Sequence, residues 1–521
     1  MLKRFGAELS GETWDAIVLG SGPGSLTAAV LLAEAGRRVL VLERHYEAGG
    51  FSHVFRRKGY TWDVGVHYIG GVTAPSQPER RLFDHLTAGR LDWGAMGAPY
   101  DVAIIDGERF DFVPGAREQV ERWVARFPGE ESAIRRYWEL VRECAGAAQG
   151  FFAERAVPGI VSAVAGPFMR RKFAAFARRT TYEVLRELTS NELLITLLCT
   201  QCGDYGLPPN QSSFAIHAMV VNHYRNGAAY PVGGAEGIAQ GMIRAIEAYG
   251  GTVVLRSEVR ELMVEGKRAV GVRLDGGEEV RGKMIISGIG ARNTFTRLLP
   301  AGVTLPEEIR AGLQVVKPSM GHLCLYLGLN KTDAELALPK YNYWCYDPYV
   351  GDGQPGGRLP SAYISFQSAK DAAWPEQHPG KAAVQVIGPC SPEQFAPWRD
   401  TRWHHRPAAY EALKEEFQQR ALEQLCALHP EIRASVDWSE VSTPLSTAHF
   451  AGYPSGEIYG LEHTPARFAQ RWLRPRTFLD GLYLTGQDVV SCGVSGAVVS
   501  GIVTASAILN KNLMGEILKK R

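Results

Sequence analysis

The chain opens with two short apolar runs separated by a longer stretch of small and apolar residues. Residues 14–19 and 38–42 have the length and continuous apolar character of buried strands, whereas residues 25–35 are long enough for a helix that ends at Gly36. Two buried strands joined through a helix are typical of a βαβ unit, in which the strands run parallel. The pattern therefore predicts a βαβ unit at the start of the chain.

The pattern then changes twice. Helical periodicity prevails over residues 76–230, and short strand patterns return after it. The later elements are expected as helices at 120–126, 130–147, 182–198, 238–249 and 408–428 and strands at 252–255, 284–289, 321–329, 362–366, 382–387 and 482–485. We predict an α/β fold in which residues 1–75, 231–300 and 446–521 form one domain, interleaved with an α+β lobe made of residues 76–230 and 301–445.

Composition limits the classes of function that the chain can serve. Of its 521 residues 45% are hydrophobic, and 57 lysines and arginines nearly balance 55 aspartates and glutamates. The formal charge of +2 gives no bulk attraction to nucleic acid, so no nucleic-acid partner is expected. The N-terminus lacks the apolar core of a secretory signal and no apolar run reaches membrane-spanning length, so we expect a cytoplasmic protein.

Cysteine usage points away from disulfides and metal. Eight cysteines are scattered along the chain, and only Cys199 and Cys202 lie close together in the sequence. Their C-x-x-C spacing occurs in zinc sites, but no second pair and no histidine cluster completes such a site. We therefore expect buried thiols at this pair, no disulfide framework and no bound metal.

A glycine-rich loop follows the first predicted strand. It reads Gly20-Ser21-Gly22-Pro23-Gly24-Ser25 and leads into the first predicted helix. Glycines in such a loop let the backbone turn tightly and approach a pyrophosphate at the N-terminus of the helix. Glu43 ends the next predicted strand, where a carboxylate accepts a hydrogen bond from a ribose hydroxyl. The predicted dinucleotide contacts are Gly20, Gly22, Gly24, Ser25, Glu43 and Arg44, with Ser25 standing where a third motif glycine is usual.

The remaining glycine-rich segments favour FAD over a nicotinamide cofactor. No second loop of the same kind, followed by a helix and an acidic strand end, occurs later in the sequence. Asp488 is expected to bind ribityl hydroxyls, and a helix beginning near Val494 would direct its positive end at the flavin ring. The further predicted contacts are Gly49, Gly50, Gly65, Val259, Gly486, Asp488, Gly493, Val494 and Gly496. We expect one non-covalently bound FAD.

At this point nearly the whole chain resembles the retinol saturase and carotenoid isomerase branch of the phytoene desaturase-like FAD-dependent oxidoreductases. The segments that carry the resemblance are residues 15–50, 62–70 (WDVGVHYIG), 203–209 (GDYGLPP), 213–218, 222–224, 230–234, 458–468 (IYGLEHTPARF) and 482–488 (LYLTGQD). The last two are more similar to retinol saturases than to phytoene desaturases or amine oxidases. Val232 departs from the family, which often has arginine there, and this puts the identity of the substrate in doubt.

The resemblance implies a fold, a reaction class and partners. The fold is a Rossmann-type, glutathione-reductase-like FAD-binding domain interleaved with an α+β substrate-binding domain that forms an apolar tunnel. The reaction is saturation or desaturation of carbon-carbon double bonds in a lipophilic polyene, with an electron donor or acceptor that the sequence leaves open. A redox-neutral cis-trans isomerase and a flavin-bound lipid carrier without turnover are the two alternatives.

Candidate proton-transfer residues follow from the same resemblance. It places His67 and Tyr68 beside the flavin ring. Glu462 and His463 lie shortly before the terminal FAD segment and are a second pair that would face the tunnel. Backbone positioning by these side chains is the alternative for each pair. The polar residues expected to line the far side are Asp204, Tyr205, His217, His223 and Tyr224.

One segment combines an apolar run with a basic flank. Residues 157–169 are mostly apolar and precede a group of cations at 170–172 and 178–179. Such a segment suits a peripheral membrane contact, whereas a solvated helix is the alternative, and Pro158, Gly166 and Pro167 weaken the helical pattern. We expect a membrane contact from one side over residues 157–179.

Overall fold

The computed structural model describes residues 3, 4, 6, 9, 11–346, 359 and 361–520. A parallel sheet carries the predicted βαβ unit. Its strands, in spatial order, are β1 (Lys3–Arg4), β12 (Thr252–Leu255), β4 (Val39–Leu42), β3 (Ala16–Leu19), β16 (Ile285–Ser287) and β22 (Leu482–Leu484). Strands from separate stretches of the chain therefore meet in one sheet, and the predicted interleaved α/β fold is confirmed. The boundaries between the two lobes stay a prediction.

A second, larger sheet forms the other lobe. Its strands, in spatial order, are β10 (Glu108–Phe112), β9 (Asp101–Ile105), β18 (Asn342–Tyr346), β19 (Ser361–Ser365), β20 (Ala382–Cys390), β17 (Gly321–Leu329) and β21 (Val436–Ser442). All neighbouring strands are antiparallel except β9 and β18, which run parallel. The first two strands lie in a region whose pattern predicted helices, because five-residue strands leave little periodicity among longer helical stretches.

Three smaller sheets accompany the two larger ones. They are β7 (Ile69–Gly70), β11 (Ala228–Pro231) and β8 (Trp93–Ala95); β13 (Val259–Glu265), β14 (Arg268–Leu274), β15 (Glu279–Gly282) and β2 (Thr13–Trp14); and β5 (Val54–Arg57) with β6 (Tyr60–Asp63). The strand predicted over residues 14–19 is thus divided, because Trp14 pairs with β15 while Ala16 begins the parallel sheet.

Helices cover both sheets. They are α1 (Pro23–Glu34), α2 (Pro78–Leu86), α3 (Ala116–Arg126), α4 (Glu131–Glu154), α5 (Gly159–Ala177), α6 (Thr181–Leu188), α7 (Glu192–Leu198), α8 (Phe214–Tyr224), α9 (Glu236–Ala248), α10 (Ala291–Arg297), α11 (Glu307–Val315), α12 (Gln367–Lys370), α13 (Trp374–Gln377), α14 (Ala408–Leu428), α15 (Pro444–Ala451), α16 (Pro465–Ala469), α17 (Val494–Leu509) and α18 (Leu513–Lys519). Among the described residues no single helix is long and apolar enough to cross a bilayer, while α17 and α18 reach that length and composition only together, with a bend of 115° between them.

Two helices differ from their predicted form. The helix expected over residues 182–198 is divided into α6 and α7, because the side chain of Asn191 accepts a hydrogen bond from the amide of Leu194 and begins a new helix. In contrast, α5 continues through Pro167 as one helix. Its buried inner face packs on α4, and this tertiary contact outweighs the local cost of proline.

The first helix is held against the last long helix by unusually close backbones. A Cβ atom added to Gly24 would lie 2.7 Å from the Cα of Gly486, and one added to Gly501 would lie 2.5 Å from the carbonyl oxygen of Gly24. Helices approach this closely only where side chains are absent. The small residues of the C-terminal helix therefore bring the end of the chain onto the glycine-rich loop.

Candidate active site

A cleft of about 510 Å³ runs from the glycine-rich loop into the lobe of the larger sheet. One end is formed by the loop between β3 and α1, by the end of β4 and by the start of α17. The predicted cofactor residues that line it are Gly20, Gly22, Gly24, Ser25, Glu43, Arg44, Gly50, Gly65, Val259, Gly486, Gly493 and Val494. The tertiary structure therefore brings together residues from five separate segments of the chain.

The glycine-rich loop leaves room for a phosphate group. Gly22 precedes α1 without a side-chain cap, and a Cβ atom added there would meet nothing within 4 Å. The first amides of a helix need partners from outside the helix, and an anion supplies them. Ser25 fits in place of the usual glycine because it packs against Gly288, where an added Cβ atom would lie 1.9 Å from the Ser25 hydroxyl.

Hydrogen bonds within the protein hold the Glu43 carboxylate in place. Its Oε2 accepts hydrogen bonds from the amide of Ser21 at 2.8 Å and from the Ser21 hydroxyl at 2.7 Å, and its Oε1 accepts one from the amide of His45 at 2.7 Å. Gly49 lies behind the wall of the cleft, where its amide donates to the same Ser21 hydroxyl at 3.0 Å. Ser21 therefore links the glycine-rich loop to the turn at Gly49. The spacing of the glycines did not predict this role of Ser21.

Removing the Glu43 carboxylate tests its role. We expect Glu43→Ala to weaken FAD binding by about ten- to hundredfold, since hydrogen bonds to a charged group contribute about 1.5–3 kcal/mol. Titration of the apoprotein with FAD, followed by fluorescence quenching, measures the change. Glu258→Ala is the control, because Glu258 lies on the rim of the same cleft and its carboxylate faces arginines at 3.6–4.0 Å. Equal affinity of Glu43→Ala and the unchanged protein would contradict the assignment.

The flavin end is built by the last segment of the chain. Gly486, Gln487 and the start of α17 line the cleft, and no side chain caps the first amides of α17. Those amides are free to face the electron-rich edge of a flavin ring. Gly496 lies behind them, because an added Cβ atom would stand 2.3 Å from the Ser491 hydroxyl.

The structure places Asp488 differently from its predicted ribityl contact. It lies behind the wall, and its two carboxylate oxygens accept from the amides of Leu461 at 2.9 Å and Ala291 at 2.7 Å. Gln487, which the sequence analysis did not single out, lines the cleft instead. Residues 487–489 form a turn after β22, so no regular alternation indicates which of the two side chains faces the cleft.

Arg467 supports the same wall from outside. This buried guanidinium donates to the carbonyl oxygens of Leu461 and Gln487, each at 2.6 Å, and lies 3.7 Å from the Asp488 carboxylate. We expect Arg467→Met to reduce stability by about 3–5 kcal/mol, because it leaves a buried carboxylate without its cation. Thermal unfolding of the purified protein measures the effect. The exposed pair Arg281–Glu265 is the control, and Arg281→Met is expected to cost less than about 1 kcal/mol.

The four predicted catalytic residues are not brought together. His67 lines the cleft, and its ring lies edge-on 5.2 Å from that of Tyr363. Glu462 lies outside the cleft beside Lys317, and its Oε1 accepts a hydrogen bond from the amide of Lys317 at 3.3 Å. His463 is buried behind the wall, where its Nε2 accepts from the amide of Cys492 at 3.0 Å. Burial lowers the pKa values of both histidines well below the usual range, so both rings are neutral.

Tyr68 points away from the cleft into a buried carboxyl pair. Its hydroxyl oxygen lies 2.9 Å from Asp101 and 3.3 Å from Asp204. Burial, and then the negative charge of Asp101, raises the pKa of Asp204 well above its usual value, and burial raises the pKa of Asp101 to about 6. A proton in this pair is therefore favoured on Asp204 rather than on Asp101, whose carboxylate also accepts hydrogen bonds from Asn342 and Gln201. Of the three, Asp204 lines the cleft.

Lys370 is a buried cation that the sequence did not reveal. Its Nζ donates to the carbonyl oxygen of His67 at 2.7 Å, to Asn342 at 2.8 Å and to the Ser365 hydroxyl at 2.6 Å. Burial lowers the pKa of Lys370 to about 7. It fixes the backbone of His67 across 303 positions of sequence, a separation over which no local pattern is informative.

Comparison with known proteins agrees with this geometry. The family model described as flavin containing amine oxidoreductase matches residues 26–509. The protein of Danio rerio named all-trans-retinol 13,14-reductase is 36% identical over 531 residues, covering 96% of this chain and 87% of that relative. The chloroplastic prolycopene isomerase of Arabidopsis thaliana is 25% identical, covering 98% of this chain and 85% of that relative.

A solved structure agrees in fold. A variant of putrescine oxidase superposes with a TM-score of 0.64 at 15% identity, covering 96% of this chain and 99% of that chain. The open glycine-rich loop, the fixed Glu43 and the uncapped start of α17 together fit the two ends of FAD. The chain is an FAD-dependent oxidoreductase that belongs to the flavin-containing amine oxidoreductase family, in the branch of the relatives named all-trans-retinol 13,14-reductase.

Proposed function

We propose that this protein saturates a carbon-carbon double bond of a lipophilic polyene. The observation that carries this function is the carboxyl group of Asp204, which lines the cleft beside the Tyr68 hydroxyl and whose pKa burial raises well above its usual value. A double bond that takes up a hydride also needs a proton, and a carboxyl kept neutral by burial is suited to give it. When bound, FAD supplies the hydride.

The wall around Asp204 suits an apolar, flat substrate. Met320, Trp344, Tyr363 and Tyr459 line this part of the cleft. Aromatic side chains offer broad surfaces to a planar conjugated chain and exclude water from it. The Danio rerio relative is named as a reductase of all-trans-retinol, and we propose a retinoid or a related polyene for this chain as well.

His322 offers a polar group for an oxygen atom of the substrate. The Nδ1 atom of His322 is buried and has no hydrogen-bond partner within the described part of the chain. Burial lowers the pKa of His322 to about 4, so the ring is neutral at physiological pH. A neutral imidazole nitrogen would exchange a hydrogen bond with a hydroxyl group, which favours a polyene with a polar end.

Tyr68 and Asp101 favour reprotonation of Asp204 after each turnover. Tyr68 stacks on Tyr224 with ring centroids 4.5 Å apart, so its hydroxyl is held between the two carboxyl groups. After Asp204 has lost its proton, two ionised carboxylates would share this buried site. Their repulsion favours the return of a proton to Asp204.

A redox-neutral isomerase is the second candidate. The Arabidopsis thaliana relative is named as a prolycopene isomerase, and the same acid could give and retake a proton without net change. A saturase consumes one external two-electron donor for each product molecule, whereas an isomerase consumes none. Product mass and donor consumption therefore separate the two functions.

The deciding experiment uses the FAD-loaded protein reduced under anaerobic conditions. It is mixed with retinol, with a carotenoid and with an unsaturated fatty acid while flavin absorbance and product mass are recorded. Flavin reoxidation with a mass gain of two hydrogens is expected for a polyene. An altered isomer at unchanged mass would favour the isomerase, and lipid binding without any flavin change would support the carrier.

A further inference from the structure

The outer face of α5 carries apolar side chains in water. Val161 is 46% exposed, Val164 74% and Phe168 81%, and the last two are the most exposed large apolar side chains in the described part of the chain. Residues three and four positions apart lie on one face of a helix, so these three side chains form a single stripe. Soluble proteins seldom leave an aromatic ring so exposed without a binding role.

The opposite face of α5 is fixed to the body of the protein. The Ser162 hydroxyl and Arg170 both donate to Oε1 of Glu154, the latter at 2.6 Å. Phe173 is fully buried and its ring centroid lies 4.4 Å from that of Phe151. The helix therefore cannot roll to bury its apolar stripe, and the stripe is a stable part of the surface.

Cations continue the same surface toward the C-terminal end of the helix. Arg171, Lys172 and Arg178 are exposed, and no ion pair or hydrogen bond of their side chains occurs among the described residues. The sequence of α5 contains no aspartate or glutamate. An apolar stripe is thus followed by positive charge that nothing nearby neutralises.

The apolar stripe and the unpaired cations of α5 together favour one kind of binding partner. A second protein or a second copy of the chain would meet the apolar stripe but would also need acidic residues matched to three cations. A bilayer with anionic head groups offers apolar chains and negative charge side by side over any width. We propose that the outer face of α5 docks in the plane of an anionic membrane, with Val164 and Phe168 in the acyl boundary and Arg171 and Lys172 among the head groups.

Docking of α5 does not depend on the substrate, so its failure and the failure of the proposed function are distinguishable. The FAD-loaded full chain is sedimented with vesicles of equimolar phosphatidylcholine and phosphatidylserine. The unchanged protein is expected to bind, and Val164→Ser with Phe168→Ser to bind about tenfold or more weakly, because two apolar side chains no longer leave water. Val315→Ser with Tyr249→Ser is the control, since both residues are exposed, Val315 at the end of α11 and Tyr249 just after α9, and it is expected to bind as the unchanged protein does.

Charge is tested separately. Arg171→Gln with Lys172→Gln is expected to remove the preference for phosphatidylserine, and added salt to weaken binding of the unchanged protein. Arg37→Gln with Lys267→Gln, at exposed cations elsewhere, is the control. Equal binding by the serine variant, or no binding by the unchanged protein, would overturn the proposal. Self-association in solution that the serine variant abolishes would instead make this face an interface between copies.

Discussion

Asp204→Asn is expected to lower the rate of double-bond reduction by about a hundred- to ten-thousandfold, the range by which a positioned acid accelerates a reaction. Asparagine has nearly the shape of aspartic acid but no proton to give. FAD binding should be unchanged, because the substitution leaves the hydrogen bonds between Ser21 and Glu43 in place. Single-turnover reoxidation of the prereduced flavin by a polyene measures the rate.

The control variant changes Glu462, a carboxyl group that the sequence predicted to be catalytic. Glu462 lies beside Lys317 outside the cleft, and Glu462→Gln is expected to retain more than about a third of the rate. If Glu462→Gln were as slow as Asp204→Asn, the acid would have been assigned to the wrong carboxyl group. Full activity of Asp204→Asn would contradict the assignment of Asp204 as the proton donor, on which the proposed function rests.

The pH dependence gives an independent check. Because burial and the charge of Asp101 raise the pKa of Asp204, its protonated form persists to higher pH than in an ordinary aspartic acid, and the rate should fall as the pH rises through that raised pKa. Asp101→Asn removes the negative neighbour, which lowers the pKa of Asp204. The alkaline fall in the pH-rate profile should then move to lower pH, whereas a purely structural role for Asp101 would leave its position unchanged.

Two glycines only two positions apart are expected to respond very differently to alanine. Gly24→Ala should destabilise the apoprotein by about 1–3 kcal/mol and prevent FAD binding, because its Cβ atom would stand 2.7 Å from the backbone of Gly486. Gly22→Ala should leave the apoprotein stable, since its Cβ atom meets nothing within 4 Å. That Cβ atom would occupy the space for the pyrophosphate and weaken FAD binding by about five- to hundredfold.

Thermal unfolding without FAD, followed by titration with FAD, separates the two effects. A stable Gly24→Ala apoprotein would show that α1 and α17 can move apart. Normal FAD affinity in Gly22→Ala would show that the pyrophosphate passes elsewhere.

Much of the cofactor end could be predicted because its signals are local. A glycine loop between a buried strand and a helix, followed by an acidic strand end, is read within one short stretch of sequence. A second glycine-rich segment, between a buried strand and the last long helix, extended the prediction to the C-terminal part of the chain, where Gly486, Gly493 and Val494 line the cleft. Asp488 lies behind the wall while Gln487 lines the cleft, a difference that periodicity cannot predict within an irregular turn.

The substrate end could not be predicted in the same way. Tyr68 and Asp204 come from distant segments, and their meeting with Asp101 depends on how β9 packs against the loop before α8. His463 looked like a catalytic group in the sequence, yet its Nε2 accepts from the amide of Cys492. Burial and neighbouring groups set the pKa values and hydrogen bonds of these side chains, and the spacing of residues in the sequence predicts neither burial nor neighbours.

The sequence by itself determined the βαβ start, the interleaved α/β fold and the glycine positions that line the predicted FAD cleft, because strand burial, helix length and backbone turns are set by residues close together in the chain. The tertiary structure alone decided that Asp204 rather than Glu462 faces the cleft, that Lys370 holds His67, and that α5 presents Phe168 to solvent. These outcomes depend on which distant surfaces pack together, since packing fixes both the direction of each side chain and the free energy of its charged form.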